Sequence, residues 1–163
     1  MNDIHKLTDS TEKALIEEGN ALRRSGNYRD AAKRYLAAAE LGSAEGLYLA
    51  GVNARDALLS YPVTVCSPRV LLQEEAEYRR FDCFSRSAEA GYLPAMIGLG
   101  EMYLNGCLLF SPNPEKAVLW YTRALRLGGE EAREPLACCY ERGIGVEKNA
   151  EAAKKIRLGS FHF

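Results

Sequence analysis

The side chains best suited to chemistry in this 163-residue chain are five cysteines, two histidines and several paired acids. Cys66, Cys83, Cys107, Cys138 and Cys139 are odd in number and follow no regular spacing. A secreted disulfide framework would show an even, patterned set, so free thiols are expected. Zinc would need a C-x-x-C pair or a histidine close by, and His5 and His162 stand at opposite ends of the chain. The vicinal pair Cys138-Cys139 would point about 100° apart on a helix. Glu17-Glu18, Glu74-Glu75 and Glu130-Glu131 fall on solvated helix faces or helix starts, with no central histidine to share acid–base work. Gly143-Ile144-Gly145 has the opening of a dinucleotide fingerprint, but it follows a helix and lacks the third glycine. No phosphate loop, nucleophile elbow or metal-binding helix motif occurs. The expectation is a non-enzymatic protein with no cofactor-binding, metal-binding or catalytic residue.

A net charge of −1 lacks the basic excess that nucleic acid or an anionic membrane would demand. No apolar run reaches the roughly 18 residues that cross a bilayer. The first residues, Met1 to Thr11, lack the apolar core of a signal peptide, so a cytoplasmic address is expected.

What must position any functional residue is a set of repeated helices. Ala38-Ala39-Glu40-Leu41-Gly42, Ser87-Ala88-Glu89-Ala90-Gly91 and Ala124-Leu125-Arg126-Leu127-Gly128 each close an amphipathic stretch. After Gly91 come Ala95, Leu99-Gly100, Tyr103 and Gly106. The same offsets give Gly46, Ala50-Gly51, Ala54 and Ala57 after Gly42, and Ala132, Leu136-Ala137, Tyr140 and Gly143 after Gly128. A period of roughly 30 to 50 residues marks a solenoid, usually a binding surface. In the first repeat, Ala14, Leu15, Glu18, Ala21 and Leu22 are expected to share one packed face, followed by Tyr28, Ala31, Ala32, Tyr35, Ala38 and Ala39 on the next helix. Asn113 before Pro114 and Asn149 before Ala150 read as helix N-caps. Trp120 is expected to be buried between the third and fourth repeats.

Gly19-Asn20-Ala21-Leu22, Gly26-Asn27-Tyr28, Ala31, Tyr35 and Ala38 resemble a tetratricopeptide repeat. Leu99-Gly100, Tyr103, Gly106, Lys116-Ala117, Trp120-Tyr121, Ala124 and Gly128 resemble the related SEL-one-like repeat, as do Leu136, Tyr140, Gly143-Ile144-Gly145-Val146 and Ala153. The resemblance implies an all-α, right-handed α-solenoid of about four antiparallel helix pairs. The organisation expected is a polar N-terminal tail over 1–10 and one solenoid domain over 11–163, with repeats at about 11–42, 43–91, 92–128 and 129–163. Such repeats abound in bacterial signalling, secretion and virulence-associated proteins, so a bacterial adaptor or scaffold is the expectation.

The resemblance further implies that the first helix of each pair lines a concave face, with the residues three before, one after and four after the packed small residue pointing into it. These are Ile16, Asn20 and Arg23; Tyr48, Val52 and Arg55; Ile97, Glu101 and Leu104; and Glu134, Cys138 and Glu141. A face basic at one end and acidic at the other would suit an extended or helical segment of a protein or peptide partner. The carboxylate clamp of chaperone-binding tetratricopeptide domains does not fit: Asn20 matches it, but Ile16, Ile97 and Glu101 stand where its basic residues would be. An alternative is self-assembly into a homodimer through the solenoid end, where Leu158, Phe161 and Phe163 lie.

The second repeat departs from the pattern. Its turn position and next packed position are 23 residues apart (57 to 80), against 11 (106 to 117) and 10 (143 to 153) in the later repeats, and Arg80 holds the small-residue place. An insertion at about 58–70 is expected to form two lengthened helices, packed through Leu58, Leu59, Val70 and Leu71, with an apolar tip of Tyr61, Val63 and Val65 that could also bind.

Overall fold

A computed structural model of the chain describes the backbone of residues 2–59 and 69–161 and the side chains of residues 8–57 and 73–161. Its named elements are all helical: α1 (Asn2–Arg24), α2 (Tyr28–Glu40), α3 (Ala44–Leu59), α4 (Arg69–Glu89), α5 (Leu93–Asn105), α6 (Pro114–Arg126), α7 (Arg133–Arg142) and α8 (Ala150–Arg157), with a 3-10 turn at Glu130–Ala132. Two compact units hold two helix pairs each, α1–α4 in Met1–Ala90 and α5–α8 in Gly91–Phe163. Within each unit, consecutive helices pack on one another. None of the described helices is long and apolar enough to cross a membrane.

Three of the hairpins are turned by the same device. Asn27, Asn113 and Asn149 cap α2, α6 and α8, each side-chain oxygen accepting from the backbone N–H three residues on. Their own N–H groups donate to the carbonyls of Leu22, Tyr103 and Tyr140, at 2.9, 2.7 and 2.7 Å. Each asparagine therefore satisfies orphan groups of two helix ends at once. Gly143 ends α7 in the left-handed region at φ 73°, and Gly145 follows at φ 69° with its bare Cα against the Pro114 backbone. A side chain at Gly145 would collide with that backbone, which accounts for the Gly-x-Gly turn between α7 and α8.

An aromatic ring on glycine closes three of the four pairs. A Cβ on Gly19 would stand 2.6 Å from Cε1 of Tyr35, and one on Gly100 would stand 2.6 Å from Cε1 of Tyr121. On Gly51 it would lie 2.8 Å from Cδ1 of Phe84. The missing side chain lets first and second helices approach until the ring is buried; Tyr35 and Tyr121 are wholly enclosed. The small residue four before each ring (Ala31 or Ala117) is likewise fully buried. In the second pair that place belongs to Arg80, whose guanidinium lies 5.3 Å from the centre of the Phe84 ring.

Several expectations are corrected. Residues 2–10 belong to α1, which continues as one helix to Arg24, where a separate tail was expected. The packed face of α1 runs through Ile16 and Gly19, so Ala14, Glu18 and Ala21 are exposed. The register follows the Tyr35 ring, which selects Gly19. Trp120 is half-buried and lies beside the Arg123 guanidinium, 5.2 Å from its ring, while the neighbouring Tyr121 takes the interior place. Adjacent helical residues point about 100° apart, so only one of the two can face α5. The lengthening of the second pair is plain in its helices, of 16 and 21 residues against 13 and 13 in the third. The tip residues Tyr61, Val63 and Val65 lie outside the described residues, as do the side chains of Leu58, Leu59, Val70 and Leu71.

Candidate interaction surface

The first helices of the N-terminal unit, α1 and α3, place six of the expected contact residues. Ile16 is buried at 6% exposure and serves the core. Asn20 is half-buried, and its Oδ1 accepts the Tyr35 hydroxyl at 2.9 Å. Tyr48 stacks on Phe84 with ring centres 5.0 Å apart. Val52 is half-buried, Arg23 is half-buried and Arg55 is exposed.

Around Arg23 the surface dips into a hollow of ≈ 360 Å³, lined by Asn20, Arg23, Arg24, Tyr28 and Asp56. The buried Asn53 holds its wall, donating from Nδ2 to the Tyr28 carbonyl at 2.7 Å. Arg23, Arg24 and Arg55 form no ion pair among the described residues, whereas Arg34 pairs with Glu18 at 3.1 Å on the neighbouring surface. An anionic group entering the hollow would meet Arg23 and Arg24 beside the Asp56 carboxylate.

In the C-terminal unit, Ile97 and Leu104 are half-buried and Glu101 is exposed on α5. The Tyr121 hydroxyl is buried with no hydrogen-bond partner among the described residues. Burial, and secondarily the Glu101 charge, pushes its pKa well above the ordinary phenol value.

Glu134, Cys138 and Glu141 on α7 converge on one residue of α8. Arg157 takes the position four after the buried Ala153, where α2 and α6 carry Tyr35 and Tyr121. Its Nη2 lies 2.9 Å from Glu134 and 2.8 Å from Glu141, and its Nε lies 3.0 Å from the second Glu134 oxygen. The Cys138 thiol faces Glu134 at 3.5 Å. Hydrogen bonds from Arg157 hold both carboxyls below the ordinary glutamate range. Ala137 stands where the other repeats have glycine, and a flexible guanidinium arm replaces the ring that a Cβ would displace. The family resemblance singled out these three residues but not their common partner, which lies 16 or more residues further along the chain.

A larger hollow has almost no signature in the amino-acid order. Residues of α2, α3 and α4 enclose about 450 Å³ on the N-terminal unit, including Arg29, Leu36, Ala50, Ala54, Tyr78 and Cys83. Its trace in the sequence is Ala50 and Ala54, standing at the offsets where later repeats have leucine and tyrosine.

A family model described as Sel1 repeat matches residues 93–129 and 136–155. A stretch of 77 residues, 46% of this chain, is 36% identical to chitin synthase regulatory factor 3 of Schizosaccharomyces pombe, and covers 8% of that protein. Two solved structures share the fold. One is c5321, a protective antigen of uropathogenic Escherichia coli strains displaying an SLR fold, with a TM-score of 0.69, 22% identity, and coverage of 91% of this chain and 30% of that one. The other is a Sel1 repeat protein from Oxalobacter formigenes, with a TM-score of 0.63, 18% identity, and coverage of 89% and 68%. Matched repeats in α5–α8 and a shared fold lead to one conclusion: residues 93–129 and 136–155 carry Sel1 repeats, and the chain has the SLR-type helical-repeat fold.

Proposed function

We propose that this chain is a protein-binding scaffold that receives an extended or helical segment of a partner on the first-helix faces of its repeats. The observation that carries the reading is a group of cations on α1 and α3 that form no ion pair among the described residues: Arg23 and Arg24, which line the hollow that reaches Asp56, and Arg55 beside it in sequence. Exposed charge of one sign steers a partner of the other and fixes its register. Half-buried Val52 on the same helix as Arg55 supplies apolar contact. Of the expected acids, Glu134 and Glu141 are engaged by Arg157 and Glu101 is exposed, so on the N-terminal unit the ionic selection of a partner rests with the arginines. The Schizosaccharomyces pombe relative is by name a regulatory factor, which agrees with a role exerted on another protein.

Affinity capture from a source lysate, with mass-spectrometric identification, names the partner, and a double variant then tests the face. Arg23→Glu with Arg55→Glu is expected to abolish capture while shifting stability by only about half a kcal/mol, the usual scale for surface substitutions. Unchanged affinity would place binding elsewhere. Loss of cooperative unfolding would make the arginines structural.

A further inference from the structure

The second repeat is hollow where two alanines stand in place of a leucine and a tyrosine. Counted from the packed small residue, Ala50 stands at the offset of Leu99 and Leu136, and Ala54 at that of Tyr103 and Tyr140. Both leucines are buried, and the tyrosines pack against Phe110 and Phe161 with ring centres 5.3 and 5.8 Å apart. Replacing a leucine and a tyrosine by two alanines removes the side chains that would otherwise occupy this space. What is left in the N-terminal unit is the ≈ 450 Å³ hollow, floored by Ala50, Ala54 and Cys83. That volume falls within the range of roughly 300 to 1,000 Å³ typical of binding pockets.

The walls have a definite chemistry. On α2, Arg29, Lys33 and Leu36 share one helical face; on α4, Tyr78, Arg79, Asp82 and Arg86 share another. Leu36 and Tyr78 form the lips, 43% and 61% exposed, so each wall offers a large apolar side chain to a visitor. Four cations and one carboxylate line the hollow. Lys33, Arg79 and Arg86 are bridged to Asp30, Glu75 and Asp82 at 2.7, 2.7 and 3.4 Å. All of these pairs are solvent-exposed, and such pairs are worth little, so a partner's carboxylates can replace them at small cost.

We propose that this groove docks an acidic amphipathic helix of a partner protein, which inserts a large aliphatic and an aromatic side chain one turn apart over Ala50 and Ala54. The partner would thus supply the side chains that repeats three and four supply for themselves. A cleft with helical walls accepts a helix through interleaved side-chain ridges, and the cationic rim selects glutamate and aspartate on its flanks. This surface is separate from the arginine face of α1 and α3 and goes beyond the scaffold reading.

The test uses the full chain and two synthetic helical peptides, each with leucine and phenylalanine one turn apart, one flanked by glutamates and the other by lysines. Fluorescence anisotropy should show saturable binding of the acidic peptide, at least about tenfold tighter than its lysine counterpart and weakened by salt. Bound peptide should slow alkylation of Cys83. Arg79→Glu with Arg86→Glu should weaken binding about tenfold or more, and Ala50→Leu with Ala54→Tyr should abolish it. Arg23→Glu with Arg55→Glu should leave it unchanged. Circular dichroism verifies that each variant folds, and the rim variant decides alone if the filled one does not fold. Absence of binding, equal binding of both peptides, or survival of binding after rim reversal overturns the proposal. So does loss of binding through the α1 and α3 arginines instead, or a dimer in light scattering that dissociates on rim reversal, which would assign the groove to a second copy.

Discussion

Tyr35 and Tyr121 occupy the same place in their repeats and differ by one hydrogen bond. Each ring lies on a glycine and is wholly buried, but Tyr35 donates to Asn20 at 2.9 Å while the Tyr121 hydroxyl has no partner among the described residues. A satisfied hydrogen bond contributes about 0.5–1.5 kcal/mol, and an unsatisfied buried polar atom costs about 1–3 kcal/mol. Tyr35→Phe is therefore expected to destabilise the chain by about 1 kcal/mol. Tyr121→Phe should be neutral or stabilising. Urea unfolding of the two variants measures both signs, and equal losses would mean that the hydroxyls have equivalent surroundings. The tyrosines themselves stand out in the sequence, at regular offsets. Their hydroxyl partners depend on the residue one after the packed glycine, asparagine in one repeat and Glu101 in the other, and only the folded geometry shows which is reached.

At the level of the element, α8 stands apart from the other second helices because Arg157 replaces the ring. It ties α8 to Glu134 and Glu141 of α7, and its hydrogen bonds favour the charged form of both acids. A carboxyl whose folded pKa is depressed stabilises the fold fully above its unfolded pKa and loses that contribution as pH falls through the folded value. With an ordinary value of 4.5 for both groups, the contribution is complete above that pH and disappears below it. Arg157→Ala should thus lower the melting temperature at neutral pH, and the deficit should shrink as pH drops below 4.5. A deficit that stays constant into acid would show that Arg157 acts through its aliphatic stem. The N-caps of these helices were legible from asparagine before proline or alanine. The Arg157 cluster was not, because its acids read equally well as a free acidic face.

For the molecule as a whole, the division into Met1–Ala90 and Gly91–Phe163 separates two cores. In the second, Leu99, Met102, Tyr121, Leu136 and Ile156 are all buried. The segment 91–163, produced alone, is expected to remain helical and to melt cooperatively at a lower temperature than the full chain, since a small domain buries only about 60% of its unfolded surface. Circular dichroism during thermal unfolding tests this, and a gradual melt without a transition would show that the second core depends on the first. Repeat proteins are built from contacts between neighbours in the chain, which is why their period is written directly in the order of their residues.

Helical class, four-fold repetition, the caps at Asn113 and Asn149 and the lengthening of the second pair were all legible in the amino-acid order alone. Those features follow from local rules: spacing of small and apolar residues at helical period, asparagine at a helix start, glycine where φ must be positive. Tertiary packing settled which residue of each stripe faces inward, because the ring-on-glycine contact selects Ile16 and Gly19 over Ala14 and Ala21, and Tyr121 over Trp120. It also settled which charges remain available. Glu134 and Glu141 meet Arg157 from another helix, while Arg23 and Arg55 form no ion pair among the described residues. The α2–α4 hollow belongs to the same level. Two alanines announce missing volume, but only the walls set around them show that the volume stays open and that cations surround it.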